Sequence, residues 1–186
     1  ALQRVSSMSR NLSTHRLQVL FTLFLLRKRD SLYHWFVLVN VRLMSRSFTI
    51  EVAKDYFNFA AAHFLIFANG KREALHGHNY QVAVRLEGEP DRAGVVLDFI
   101  SFKPLVKRVC DGLDHRTLIQ SQSPALKVQK QNGAVLIHYK KQKILLPKQD
   151  VILVPVANTS TELLAEYIAK QIRNRVRQQF PAANIR

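Results

Sequence analysis

From Ser47 onward the apolar and polar positions fall into segments of distinct period. "SFTIEVAKDYFNFAAAH" (47–63) is rich in β-branched and aromatic residues and predicts a strand ending near His63. "ANGKREAL" (68–75) is a polar connection carrying an Asn-Gly turn signal. Beyond it the alternation is strict, with Tyr80, Val82, Val84 and Leu86 on one face and Gln81, Ala83, Arg85 and Glu87 on the other. "GEPDRAG" (88–94) reads as a turn and "VVLDF" (95–99) as a short return strand, giving an antiparallel pair.

The period then lengthens to that of a helix. Ser101 is the expected N-cap, Phe102, Leu105, Val106 and Val109 form the apolar face, Pro104 falls in the first turn, and Gly112 ends the element. A second helix is expected at "TSTE" (159–162), read as a capping box with Thr159 as N-cap and Glu162 three residues on. Its apolar face continues through Leu163, Leu164, Tyr167, Ile168, Ile172 and Val176. Between the helices, residues 120–157 read as an excursion of short strands with a hairpin turn at Asn132-Gly133.

The first 43 residues do not share this organisation. "LQVLFTLFLL" (17–26) lies between Arg16 and the Arg27-Lys28-Arg29 cluster and is far shorter than the roughly 20 residues a transmembrane helix needs. It resembles the apolar part of a signal peptide without a cleavage site, and an acid-poor, Arg- and Ser-containing start also suits an organelle-targeting segment. A third reading takes residues 1–43 as non-native and Met44 as the true beginning of a domain over 44–186.

Charge changes this picture little. The net charge of +15 invites a nucleic-acid reading, yet residues 1–50 alone hold eight Lys/Arg against one acid, Asp30. The remainder is moderately basic, as a solvated surface would be, and it carries no RNA-binding aromatic–basic motif. The single cysteine, Cys110, excludes an internal disulfide and a Cys-rich zinc site and suits a reducing, cytoplasmic setting. A metal here must be held by His or carboxylates.

His76 and His78 open the alternating strand two residues apart, so they project to one face, about 7 Å apart at Cβ if the strand is extended. They share parity with Tyr80 and Val82, the expected inward face, where unpaired imidazoles are costly. A bound Zn²⁺ removes that cost, and His63 reaches the same point if the two strands pair. Three His ligands leave a fourth position open, the arrangement of a catalytic zinc. A lone His-x-His is common by chance; here Glu73, Asp98, Asp114 and His115 supply chemical company.

In combination, "FAAAHFL", "EALHGHNYQVAVRLEG", "GVVLDFISF", "GLDHRTL" and "NTSTELLAEYIAKQI" resemble the 6-pyruvoyltetrahydropterin synthase / 6-carboxytetrahydropterin synthase family over about residues 47–176. The resemblance implies an α+β tunnelling fold (T-fold): an antiparallel sheet with two helices on one face, several copies of which assemble into a β-barrel. It implies a homohexamer, a dimer of trimers, with active sites between subunits. It implies zinc on His63, His76 and His78, a catalytic Asp114–His115 pair, and Thr161 and Glu162 as pterin contacts. The family substrate is 7,8-dihydroneopterin triphosphate; neither a membrane nor nucleic acid is an expected partner.

Two departures refine that expectation. The family's usual cysteine positions, four or six residues before the first His of the pair, hold Arg72 and Gly70. Glu73 stands in a Glu-x-x-His-Gly-His arrangement that looks like the family's glutamate variant, which makes 6-hydroxymethyl-7,8-dihydropterin for folate synthesis. A glutamate is a weak base unless desolvated, so Glu73 is expected in a partly buried pocket. Cys110 falls on the apolar face of the first helix and reads as packing. The family also continues past its last helix into a strand whose glutamate grips the pterin, whereas no acid follows Glu166 here, so that strand is expected to be missing from this chain. The alternative within the family is 6-carboxytetrahydropterin synthase, on the route to the modified tRNA base queuosine. The alternative from another class is a non-catalytic basic binding module.

Overall fold

Two long strands, β2 (Phe48–His63) and β3 (His76–Gly88), form the antiparallel centre of a computed structural model that describes residues 5–6 and 46–185. Apart from the two-residue strand β1 (Val5–Ser6), which pairs with Thr49 and Ile50, the expectations for residues 1–43 lie outside the described residues. The order continues through α1 (Phe99–Asp111), β4 (Arg116–Gln120), β5 (Lys127–Gln131), β6 (Ala134–Tyr139), β7 (Gln142–Pro147), β8 (Val151–Val154) and α2 (Thr161–Gln179). The protein is α+β. Its main sheet is mixed: β3 pairs antiparallel with β2, while β4 runs parallel to both β2 and β8.

The β2–β3 register contains the feature that matters most for the site. Ala53 pairs with Ala83 and Asn58 with Gln81, so residues 54–57 of β2 face the single residue Val82. An odd surplus of three residues reverses side-chain parity along β2. Ile50 and Val52 point to the core before the bulge, and Phe57, Phe59, Ala61 and His63 point to it afterwards. On β3 the even positions keep that face throughout, with Val82 and Leu86 buried. The bulge thus carries His63 onto the face that His76 and His78 share.

Both helices contribute to the core on this face. Phe102, Leu105, Val106, Val109 and Cys110 of α1 and Leu164, Ile168, Ile172 and Val176 of α2 join the β2 and β3 side chains in one cluster. Cys110 is buried there as a packing residue, and burial pushes its thiol up. The opposite face of the main sheet carries the small antiparallel sheet β5–β6–β7, whose hairpin turns at Asn132-Gly133. Between them lies a second core of Phe64, Ile119, Val135 and Ile137. Strand β4 is covered on both sides, Leu118 facing the helices and Ile119 the small sheet, as its unbroken apolar run requires. "VILV" belongs to the main sheet as β8 rather than to the excursion.

Both helix starts differ from the expectation. Asp98 caps α1, its carboxylate accepting from the backbone N–H of Ile100 and Ser101 at 2.9 and 3.2 Å, so the helix begins before Ser101 and absorbs the end of "VVLDF". No return strand forms there, and Pro104 lies inside the helix rather than in its first turn. Ser160 caps α2 by accepting from Leu163, and Thr159 is released from capping to a buried role described below. At the C-terminal end, Ile185 pairs with Gly88 at the end of β3. Gly88 is needed there because a Cβ would lie 2.9 Å from the Asn184 carbonyl oxygen.

Candidate metal centre and active site

His63 ends β2 directly opposite His76, the first residue of β3, and Ala61 opposite His78. The small Ala61 side chain leaves His78 room to lean toward His63. The ring centroids lie 4.8 Å apart for His63–His76, 5.2 Å for His63–His78 and 4.6 Å for His76–His78. One ring nitrogen from each falls within 4.8 Å of the others. His63 is buried, His76 half-buried and His78 exposed, so the cluster has a closed end and an open one.

Hydrogen bonds orient two of these rings. His63 Nδ1 lies 2.9 Å from the buried Thr159 carbonyl and His76 Nδ1 lies 2.9 Å from the Ala74 carbonyl. A carbonyl only accepts, so both Nδ1 atoms carry the proton and both Nε2 atoms present a lone pair. Burial pushes the His63 imidazole below its ordinary value; the Thr159 contact opposes this, and His76 and His78 add to it. The neutral, ligating form is thereby favoured.

Among the described residues only two buried polar side-chain atoms have no partner: His63 Nε2 and the Tyr80 hydroxyl. Both belong to this site, since Tyr80 lies two residues beyond His78 and its ring is 6.1 Å from His63 and 5.9 Å from His78. His76 Nε2 and His78 Nε2 approach to 2.9 Å, near the about 3.3 Å between two ligand nitrogens of a tetrahedral zinc. An orphaned lone pair, two convergent nitrogens and an open side fit a three-His metal site with a free coordination position.

Glu73 enters from the connection preceding β3. Its backbone N–H donates to the Leu65 carbonyl at 2.9 Å, and its carboxylate accepts from the Leu65 N–H at 3.3 Å. The carboxylate lies 3.9 Å from His76 Nδ1, and its side chain is 34% exposed, the partly buried setting expected of it. Tyr80 senses it as well: burial pushes the phenol up, and the Glu73 charge adds to that shift.

The Asp114–His115 pair stands apart. Asp114 accepts from the Ala60 N–H at 2.7 Å and the His115 N–H donates to the Ala60 carbonyl at 2.7 Å, locking the pair to β2. The Ala60 N–H holds the Asp114 carboxyl below its ordinary value, with His115 adding to the effect. His115 Nδ1 lies 3.0 Å from the Asp114 carboxylate, and its side chain is 85% exposed. The backbone of His115 is left-handed (φ 55°), a conformation rare for a residue with a Cβ. The pair meets the β4 side of β2 and the His cluster the β3 side; among the described residues no hydrogen bond joins them.

Thr161 lines a largely apolar cavity of about 520 Å³ between β3 and α2, together with Phe59, Tyr80, Leu164 and Ile168. Glu162 is exposed on the first turn of α2. Asn158, Gln120, Thr159 and Tyr80 also surround the cluster, and sequence reasoning read the last two only as a cap and an inward-facing residue. The fully buried Thr159 hydroxyl donates to Phe64 O at 3.0 Å, and Gln120 Nε2 reaches the same carbonyl at 3.2 Å. Asn158 exchanges two bonds with the Ile66 backbone, at 3.0 and 3.2 Å. These groups fasten the end of β2 behind His63. The signal available was the run of polar residues before α2, which reads equally well as a cap.

Residues 51–186 match the family model described as 6-pyruvoyl tetrahydropterin synthase. The chain is 34% identical over 122 residues to a putative 6-carboxy-5,6,7,8-tetrahydropterin synthase of Methanocaldococcus jannaschii, covering 64% of this chain and 73% of that protein. It is 46% identical over 46 residues to the dihydroneopterin monophosphate aldolase of Pyrococcus furiosus, 25% of this chain and 40% of that protein. The crystal structure of the 6-pyruvoyl tetrahydropterin synthase of Plasmodium vivax superposes with a TM-score of 0.69 at 33% identity, covering 75% of this chain and 86% of that one. The Plasmodium protein has also been solved with a glutamate described as a catalytic residue replaced by alanine and by cysteine. By its matched length, fold and motifs, this chain belongs to the 6-pyruvoyl tetrahydropterin synthase family.

Proposed function

We propose that this chain is a zinc-dependent lyase that cleaves the side chain of 7,8-dihydroneopterin triphosphate to 6-hydroxymethyl-7,8-dihydropterin. The observation that carries the reading is the position of Glu73, 3.9 Å from a ligand of the three-His site, while Cys110 is buried in the helix core. A carboxylate beside the three-His cluster, with no thiol in reach, matches the Plasmodium relative whose catalytic residue is a glutamate.

His63, His76 and His78 would hold the metal. Bound there, a divalent zinc would supply Lewis-acid polarisation of the substrate's side-chain oxygens. Glu73 takes the proton of the C2′ hydroxyl; the C1′–C2′ bond breaks, and its electron pair passes into the pterin ring system. Protonation at C1′ then leaves the 6-hydroxymethyl product, and the phosphorylated two-carbon fragment departs as an aldehyde. Thr161 and Glu162, at the start of α2, orient the pterin, with the Tyr80 hydroxyl available in the same cavity. Asp114 holds the His115 imidazole through Nδ1, so that Nε2 can exchange a proton. Because His115 is exposed and β2 separates it from the His cluster, it serves a site completed by a second copy, as a homohexameric enzyme would supply.

A second reading, 6-carboxytetrahydropterin synthase, is favoured by the name of the Methanocaldococcus relative. Incubation with 7,8-dihydroneopterin triphosphate and chromatographic identification of the product separates the two. Formation of 6-hydroxymethyl-7,8-dihydropterin supports the first reading, and 6-carboxytetrahydropterin as the main product overturns it. No pterin product at all from zinc-loaded, folded protein would leave only the binding-module reading.

A further inference from the structure

Two tight turns meet beside the Glu73 loop. One is the Asn69-Gly70 turn (Gly70 φ 72°), and the other joins β6 to β7 at Lys140 (φ 51°). The Tyr139 hydroxyl and Lys140 Nζ both donate to the Gly70 carbonyl, the latter at 3.0 Å. Arg72 is fixed between them. Its Nε donates to Gln142 Oε1 at 3.2 Å and its Nη1 to the Glu73 carbonyl at 2.8 Å, and its guanidinium lies 5.2 Å from the Phe64 ring centre.

These contacts enclose an open notch of about 420 Å³ lined by Lys71, Arg72, Lys140, Asn69 and Gln142. Three cations face it and no carboxylate does. Glu73, the adjacent acid, directs its carboxylate to the Leu65 N–H and toward His76 instead. Three loose cations on a basic protein would be an ordinary solvated face. Here Arg72 and Lys140 are held in place by neutral groups, which leaves their charge uncompensated in a concavity.

We propose that this notch is the subsite for the phosphate tail of the substrate. The proposal rests on the pterin reading above and specifies which residues recognise the phosphates. In that substrate the phosphate ester is on C3′, one carbon beyond the C2′ hydroxyl that Glu73 deprotonates. The tail therefore leaves the reacting carbons close to Glu73, and Arg72 and Lys71 are that residue's immediate neighbours in the chain. Guanidinium and ammonium donors converging on an anion give charge-assisted bonds, stronger than neutral ones. One loop would thus place both the base and the cations that fix the leaving fragment.

The test uses Lys71→Gln/Lys140→Gln against Lys127→Gln/Lys130→Gln, which removes the same charge from exposed positions on β5. Calorimetric titration with inorganic tripolyphosphate should show affinity weakened about tenfold or more in the first variant and unchanged in the second. In turnover, the first variant should raise KM for dihydroneopterin triphosphate, and leave KM for unphosphorylated dihydroneopterin and the zinc content as in the parent. Equal weakening in both variants, or no weakening in the first, overturns the subsite, because the attraction is then only that of the net charge. Notch-dependent tripolyphosphate binding in a protein that converts no pterin would retain the subsite and overturn the pterin reading.

Discussion

His63 and His76 are direct cross-strand partners on β2 and β3, with ring centroids 4.8 Å apart. Their meeting depends on a bulge some eight residues away, because residues 54–57 of β2 are opposed by Val82 alone. A single-residue deletion changes the surplus from odd to even and turns either Ile50 and Val52 or His63 off the core face. Deleting Asp55 should therefore abolish zinc binding or folding. Deleting Lys54 and Asp55 together restores odd parity and should recover more zinc per folded chain than the single deletion, as measured by elemental analysis. Equal zinc in both deletions would contradict this account of the register.

Replacing Glu73 by Gln keeps its size and the bond from Leu65 but removes the base. Turnover should fall by about 10² to 10⁴ with zinc content and melting temperature close to the parent's. Glu73→Cys should recover little 6-hydroxymethyl product, since a thiolate there sits at neither of the family's usual cysteine positions. A Gln variant as active as the parent would return Glu73 to the surface charges.

Tyr80 carries a buried hydroxyl with no partner, stacked through its ring on Phe59 at 4.7 Å. Such a group costs about 1–3 kcal/mol. Tyr80→Phe should therefore raise, or at least not lower, the stability of the substrate-free protein in urea titration, and should weaken substrate turnover. A loss of about 1 kcal/mol or more of stability would show that the hydroxyl is already satisfied.

Asp114 gives a pH signature. Its folded-state pKa is held below the ordinary 3.8, chiefly by the Ala60 N–H, so it binds protons less readily folded than unfolded. It stabilises the fold fully above the unfolded value, and the contribution disappears as pH falls below about 3.8 and through the folded value. The melting-temperature gap between the parent and Asp114→Asn should be widest near neutral pH and should close on acidification below that point. A gap independent of pH would contradict the Ala60 contact.

The strict alternation from Tyr80 to Glu87, the apolar faces of both helices, the Asn132-Gly133 hairpin and the His pair were legible because each is a local pattern. The parity reversal in β2 was not, since a bulge shows only once the partner strand fixes the register. The caps at Asp98 and Ser160 competed with Ser101 and Thr159, one to three residues away and equally good in sequence. Thr159 was decided by burial behind His63, and the parallel placement of β4 by long-range packing between two cores. Three candidate ligands were brought together as expected, whereas Asp114 and His115 met the other side of β2, a relation that no local spacing encodes.

Zinc content tests the central claim most directly. The protein, stripped with chelator and reloaded, should bind one zinc per chain, measured by elemental analysis with the fold monitored by circular dichroism. His63→Ala, His76→Ala and His78→Ala should each lose most of it, because two imidazoles and water make a much poorer site. Full occupancy in the folded His76→Ala protein, or no zinc uptake by the folded parent, would contradict the account.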